Sequence, residues 1–221
     1  MIPLRDIIPS RTVPFITVAI IVLNALAWLF EISLSRDALL HFFRIYGVVP
    51  ADFHAATVVT SMFVHGGWMH VIGNMWCLWI FGDNVEDRLG HGRFIVFYLL
   101  CGSAAALGQI AVNPGSTLPT VGASGAVAGV MGAYFVLYPR SRVLALVPLI
   151  IFWDVIELPA IFFLGFWFLM QLFSAGASAA IASPGGGVAF AAHVAGFVAG
   201  IVGVLLLRRP RRQVDWWSTA R

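Results

Sequence analysis

Thr120–Ala133 reads TVGASGAVAGVMGA, with four glycines and a single serine, in a chain that is otherwise strongly apolar. Read at helical spacing, Ser124, Ala128 and Gly132 make one small face, with Gly125, Gly129 and Ala133 alongside. Such faces let membrane helices approach until their backbones touch. Ser124 is then either one more small packing residue or a nucleophile at the start of a helix, and the rest of the chain decides between the two.

Composition comes first. Of 221 residues 60% are hydrophobic and 10% charged, with a mean hydropathy of +0.92, too little polar surface for a soluble globule. We read residues 1–221 as a single domain, an all-α polytopic membrane protein. The thirteen basic residues are all arginine. They fall in short clusters between apolar stretches, as topology signals do, and not in a nucleic-acid-binding patch. Cys77 and Cys101 lie inside apolar segments and read as small packing residues. No metal, cofactor or nucleic acid is expected.

Apolar stretches at 13–32, 68–85, 93–112, 124–139, 157–176 and 188–207 give six expected transmembrane helices. The first has a long apolar run with no small-x-small cleavage signal in LFEISLSRDA, so it reads as a helix rather than a signal peptide. The segment 143–153, VLALVPLIIFW, is short for a span and contains Pro148, so it reads as re-entrant or interfacial. Arg5, Arg11, Arg88, Arg93, Arg140, Arg142, Arg208, Arg209, Arg211 and Arg212 flank the same side under this count. Both termini are therefore expected in the cytoplasm.

On that topology the polar residues share one level. Span two enters from the outer side through HGGWMHVIGN, with His70 and Asn74 at i and i+4 on one face. Span four starts at Ser124, and span six reaches His193 after about five residues, roughly 8 Å at 1.5 Å per residue. Ionisable residues inside a bilayer are costly and commonly mark working sites. Here they suit acyl transfer: Ser124 as nucleophile, His193 as base, and the Ser124 backbone N–H, His70 and Asn74 as oxyanion donors. On span six Ala192, Gly196 and Gly200 form a second small face, which His193 shares with the two glycines. Taken singly, each polar residue reads as well as helix-packing glue; what favours chemistry is their convergence.

HGGWMHVIGNMW, GASGAVAG and AHVAGFVAG, in that order on spans two, four and six, resemble the rhomboid family of intramembrane serine proteases, and the likeness extends to ELPA and WFLMQLFSAG on span five. The resemblance implies a six-helix bundle with a Ser124–His193 dyad and no carboxylate third member, with His70 and Asn74 at the oxyanion side. Gly122 matches the glycine two residues before the serine, and Gly125, Gly196 and Gly200 support the helix contact. It implies an endopeptidase that cuts single-span transmembrane proteins in the lipid bilayer near the outer face, in a bacterial inner membrane. The Trp-Arg pair that many relatives carry in the first outer loop is missing from FHAATVVTSMF.

A transporter or channel is the alternative for a Gly-interrupted six-span protein, and a non-proteolytic binder of membrane clients is a third. There is no internal repeat, the polar set stays on one side, and both serine and histidine are present. A buried site needs access, so the bulky span five around Trp167 and Phe173 is expected to move against span two near Trp76 and Trp79 as a lateral gate. The loop ASAAIASPGGG, 177–187, is expected to cap the site.

Overall fold

The computed structural model describes residues 1–149, 152–181 and 189–208. In chain order its elements are strand β1 (Ile2–Asp6) and helices α1 (Phe15–Glu31), α2 (Arg36–Tyr46), α3 (Thr57–Thr60), α4 (Trp68–Leu89), α5 (His91–Val112) and α6 (Ser124–Leu137). Strands β2 (Arg142–Leu149) and β3 (Phe152–Pro159) and helices α7 (Ala160–Ile181) and α8 (Phe190–Leu207) follow. Each of the six apolar stretches carries a helix, of 14 to 22 residues. Three of these, His91–Val112, Ala160–Ala177 and Phe190–Leu207, are long and apolar enough to cross a membrane by length and composition.

α6 is the centre. Every residue from Gly125 to Tyr134 is buried, so the helix is apolar all round rather than on one stripe, as expected of a helix enclosed by others. Its most extensive partner is α8, followed by α5 and α4. A Cβ at Gly196 would collide with the Gly125 carbonyl oxygen, and one at Gly200 with that of Gly129. Backbone therefore meets backbone along two turns. In lipid this close packing must carry the association, because apolar burial between helices adds little there.

At the end of the bundle away from Ser124, α1 begins after Pro14 without a side-chain cap of its own. The fully buried Glu86 of α4 supplies one, accepting from the backbone N–H of Ile16 at 2.9 Å, the N–H of Thr17 at 2.8 Å and the Thr17 hydroxyl at 2.7 Å. The oxygen that takes the Ile16 N–H, Oε1, also meets His91 Nδ1 at 2.5 Å. These bonds satisfy helix-start donors that would otherwise be orphaned, and charge-assisted bonds of this kind contribute about 1.5–3 kcal/mol each. Asp87 takes the Arg11 and Thr12 amides at 2.5 and 3.0 Å, so the segment before α1 is pinned to α4.

Three expectations need correction. The chain is not all-α: β1, β2 and β3 form a three-stranded antiparallel sheet with β2 in the middle. Ile2 pairs with Leu146, and Arg142 to Leu149 pair in register with Pro159 to Phe152. The segment read as re-entrant or interfacial, 143–153, is thus mostly strand. The reading of span five from 157 also gives way, since Glu157 to Pro159 belong to β3 and the helix starts at Ala160. The physical reason is pattern: Val143 and Ala145 are buried, while Arg142 is exposed and Leu144 half-buried, a period of two that outweighs overall apolarity. Arg142 reaches Glu157 on the neighbouring strand at 3.0 Å, a diagonal cross-strand pair.

The first outer loop holds a further helix that its polarity hid. α2 is capped by Ser35, whose hydroxyl accepts from Ala38 N at 3.4 Å, with Asp37 in its first turn and Arg44 in its last. α7 runs on to Ile181, so the expected loop at 177–187 begins as helix, and residues 182–188 lie outside the described residues. Arg209, Arg211 and Arg212 lie outside them as well.

β1 is tied to the bundle by Asp6, which accepts from the Tyr134 hydroxyl at 2.6 Å and from Asn84 Nδ2 at 3.1 Å. Burial, opposed by the Tyr134 hydrogen bond and helped by the charge of Asp83, pushes the Asp6 carboxyl up to about 6 from 3.8. A raised carboxyl favours the docked strand when protonated, so docking should be firmest below pH 4 and weaken as pH rises through 6. Hydrogen exchange of the β1 amides, corrected for intrinsic rate, is expected to speed up between pH 4 and 6 in the wild type, to level off above that, and to lose that dependence in Asp6→Asn. Equal dependence in both would remove Asp6 as its source.

Candidate active site

Ser124 is the first residue of α6, and the loop before it is held in place by backbone bonds. Val48 and Thr120 exchange hydrogen bonds at 2.9 and 2.8 Å, Ala51 N donates to Ser116 O at 3.0 Å, and Gly122 N donates to Ser61 O at 2.8 Å. Gly122 has φ +123°, a conformation open to glycine. A side chain there would also meet the His70 ring, with Cε1 at 2.5 Å and Nε2 at 2.6 Å from the Cβ position. The glycine is required twice over, and its role is to let His70 lie against the approach to Ser124.

His70 and Asn74 both face this turn. His70 Nδ1 accepts a long bond from Gly66 N at 3.4 Å, which places the ring proton on Nε2, the atom beside Gly122. Asn74 Nδ2 stands 3.7 Å from the Gly122 Cβ position and 3.0 Å from His65 Nε2. One of its two N–H groups is thus engaged with His65 and the second is left over.

His65 joins the site although it is not among the residues expected there. It is fully buried, its backbone N–H donates to both Glu31 carboxylate oxygens at 3.3 and 3.1 Å, and its ring fixes Asn74. Burial, with the neighbouring His70, pushes it down to about 4, so it stays neutral and able to accept. The signal was its place five residues before His70, ahead of the helix, where a periodicity count does not reach.

α6 and α8 bring the chain neighbours of Ser124 and His193 together. Ala192 O lies 3.7 Å from the Cβ position of Gly125, so the residue after the serine faces the residue before the histidine. Ser124 is partly accessible, and its hydroxyl has no hydrogen bond among the described residues. His193 is engaged elsewhere: its Nδ1 is 2.7 Å from Gln171 Oε1 on α7. Trp167, one turn before Gln171, puts its ring 5.9 Å from the imidazole, and Phe190 meets it edge-on at 6.4 Å. The imidazole is therefore walled on the α7 side and anchored through one nitrogen, with Nε2 left unengaged.

The four residues expected to gate the site are not gathered together. Trp167 packs inward, against His193 and, at 6.1 Å, Phe197. Phe173 and Trp79 are exposed. Trp76 donates its indole N–H to Pro3 O of β1 at 2.6 Å. Among the described residues α4 and α7 have no extensive contact; they meet through Phe81 and Phe163, whose rings are 6.5 Å apart.

Residues 52–210 match the family described as the Rhomboid domain. The chain is 30% identical to the chloroplastic Rhomboid-like protein 11 of Arabidopsis thaliana over 87% of its own length and 69% of that protein. It is 29% identical to the putative rhomboid protease YdcA of Bacillus subtilis over 56% of its length and 62% of the relative. It is 37% identical to Rhomboid-like protease 5 of Toxoplasma gondii over 51% of its length, spanning 11% of that much longer protein. With the family matched over most of the sequence and apolar helices long enough to span, the chain is an integral membrane protein that belongs to the rhomboid family, whose members include intramembrane serine proteases acting on transmembrane substrates.

Proposed function

We propose that this protein is an intramembrane serine endopeptidase that cuts single-span proteins within or beside their transmembrane helix. Ser124 Oγ attacks the scissile carbonyl carbon while His193 Nε2 takes its proton, and the oxyanion so formed is met by the Ser124 backbone N–H, His70 Nε2–H and the second Asn74 N–H. His193 returns the proton to the leaving amine. Water then hydrolyses the acyl-enzyme by the same steps in reverse roles. What supports the reading is the glycine-to-carbonyl contact of α6 with α8, in which the neighbours of Ser124 and His193 face each other, together with the His70 ring lying against Gly122.

A helical substrate shields its own carbonyls, so the cut segment must unwind locally, and glycine, proline or small residues near the bond favour that. The small residues around Ser124 suit a small residue before the bond. Entry is lateral, between α4 and α7, where contact is sparse and Trp79 and Phe173 are exposed. Six spans with both termini in the cytoplasm put Ser124 near the outer face of a bacterial inner membrane.

A fluorophosphonate probe tests the nucleophile directly. The folded protein in detergent is expected to carry one label, mapped by mass spectrometry to Ser124 and absent in Ser124→Ala. Label on another hydroxyl, or none on folded wild-type protein, removes Ser124 from the role.

A further inference from the structure

Gln171 stands on α7 opposite the proposed base and has no part in the reaction as described. It is the one amide side chain in AIFFLGFWFLMQLFSAGASAAI, and a polar group in so apolar a helix needs a partner. That partner is His193 Nδ1, at 2.7 Å. Since Oε1 can only accept, Nδ1 must be the protonated nitrogen, and the lone pair is left on Nε2. Trp167, one turn away on the same helix, holds the ring plane. On the α4 side the titratable neighbour is the ring of His70, which carries its own proton on Nε2, beside Gly122.

We infer that Gln171 is a positioning residue that selects the reactive tautomer of His193, filling from α7 the place a carboxylate holds in a three-membered site. The inference rests on the reading of His193 as base. It has a mechanical corollary: the group that orients the base is carried by α7, a helix that also borders the lateral opening, so the base is set when α7 is closed against α8. A free imidazole in water favours the proton on Nε2, the tautomer that cannot accept from serine. Without Gln171 most of the resting enzyme would be in that wrong form.

The test combines a spectroscopic readout with a chemical one. In micelles at pH 8, protein labelled with 15N in its histidines is expected to show His193, assigned by its loss in His193→Ala, with the proton on Nδ1. Gln171→Leu should move that proton to Nε2 and slow fluorophosphonate labelling of Ser124 by about 5- to 10-fold, the worth of one neutral hydrogen bond. Gln171→Glu keeps an acceptor oxygen and should restore both. A purely packing role predicts no change of tautomer, and loosening α7 would quicken entry rather than slow labelling. A wild-type His193 with its proton on Nε2, or a Gln171→Leu variant with unchanged tautomer, overturns the inference. If wild-type Ser124 takes no label at all, the dyad reading fails, while the tautomer comparison still decides the Gln171 contact.

Discussion

Gly200→Ala is expected to cost about 3 kcal/mol or more of stability, although it adds a single methyl group. The added Cβ would run into the Gly129 carbonyl oxygen, with the carbonyl carbon and Cα at 2.6 Å each. All three are backbone atoms of a central helix, so no rotamer change relieves the clash and α8 must back away from α6. That separation loosens the contact along both turns and draws His193 from Ser124. Gly73→Ala is the control. Nothing lies within 4 Å of its Cβ position, and in an exposed helix interior the change should be neutral or stabilising by about 0.5–1 kcal/mol. Thermal unfolding in one detergent reads both; equal midpoints for the two variants would mean that α6 and α8 are not interlocked as described.

His193→Ala is expected to lower the rate of peptide cleavage by about 10²- to 10⁴-fold, the span typical of a lost general base, with the protein still folded. The imidazole has its one hydrogen bond to Gln171 and otherwise touches rings, so its removal leaves a small gap and one solvable amide. Asn74→Ala should behave differently. Loss of an oxyanion donor lowers kcat by about 10²- to 10³-fold, and His65 Nε2, buried beside it, loses its partner as well, at about 1–3 kcal/mol of stability. Steady-state cleavage together with thermal unfolding separates the two effects: His193→Ala loses rate and keeps its midpoint, Asn74→Ala loses some of each. A His193→Ala protein with wild-type kcat would leave the site without its base.

That each apolar stretch would be helical was legible because apolar runs near twenty residues have few other uses, and GASGAVAG foretold a close helix contact because small residues at i and i+4 have few others. The sheet was not legible by the same measure. In RVLALVPLIIFWDVIELP the alternation is short and both faces are apolar, so a count of hydrophobic length cannot tell strand from buried helix; its pairing with β1, more than a hundred residues away, is a tertiary fact. Within the site, Ser124, His70, Asn74 and His193 stood out as polar groups at one depth. Gln171 carries the same signal, a lone amide among aromatic and aliphatic residues, but sits on the span read as a gate. Glu31 and His65 form a buried link at the ends of two segments, where periodicity gives no phase, and only the folded loop brings them to Asn74.

Cleavage in a bilayer tests the central claim most directly. The protein is reconstituted in lipid vesicles with a single-span substrate that carries glycine and a small residue in the half of its helix at the Ser124 level, and the products are sized by mass spectrometry. Wild-type protein is expected to give two fragments from one cut in that half, and Ser124→Ala to give none while keeping its thermal midpoint. Fragments of the same mass at an undiminished rate from Ser124→Ala, or a wild-type protein labelled at Ser124 that leaves every such substrate whole, would contradict the account.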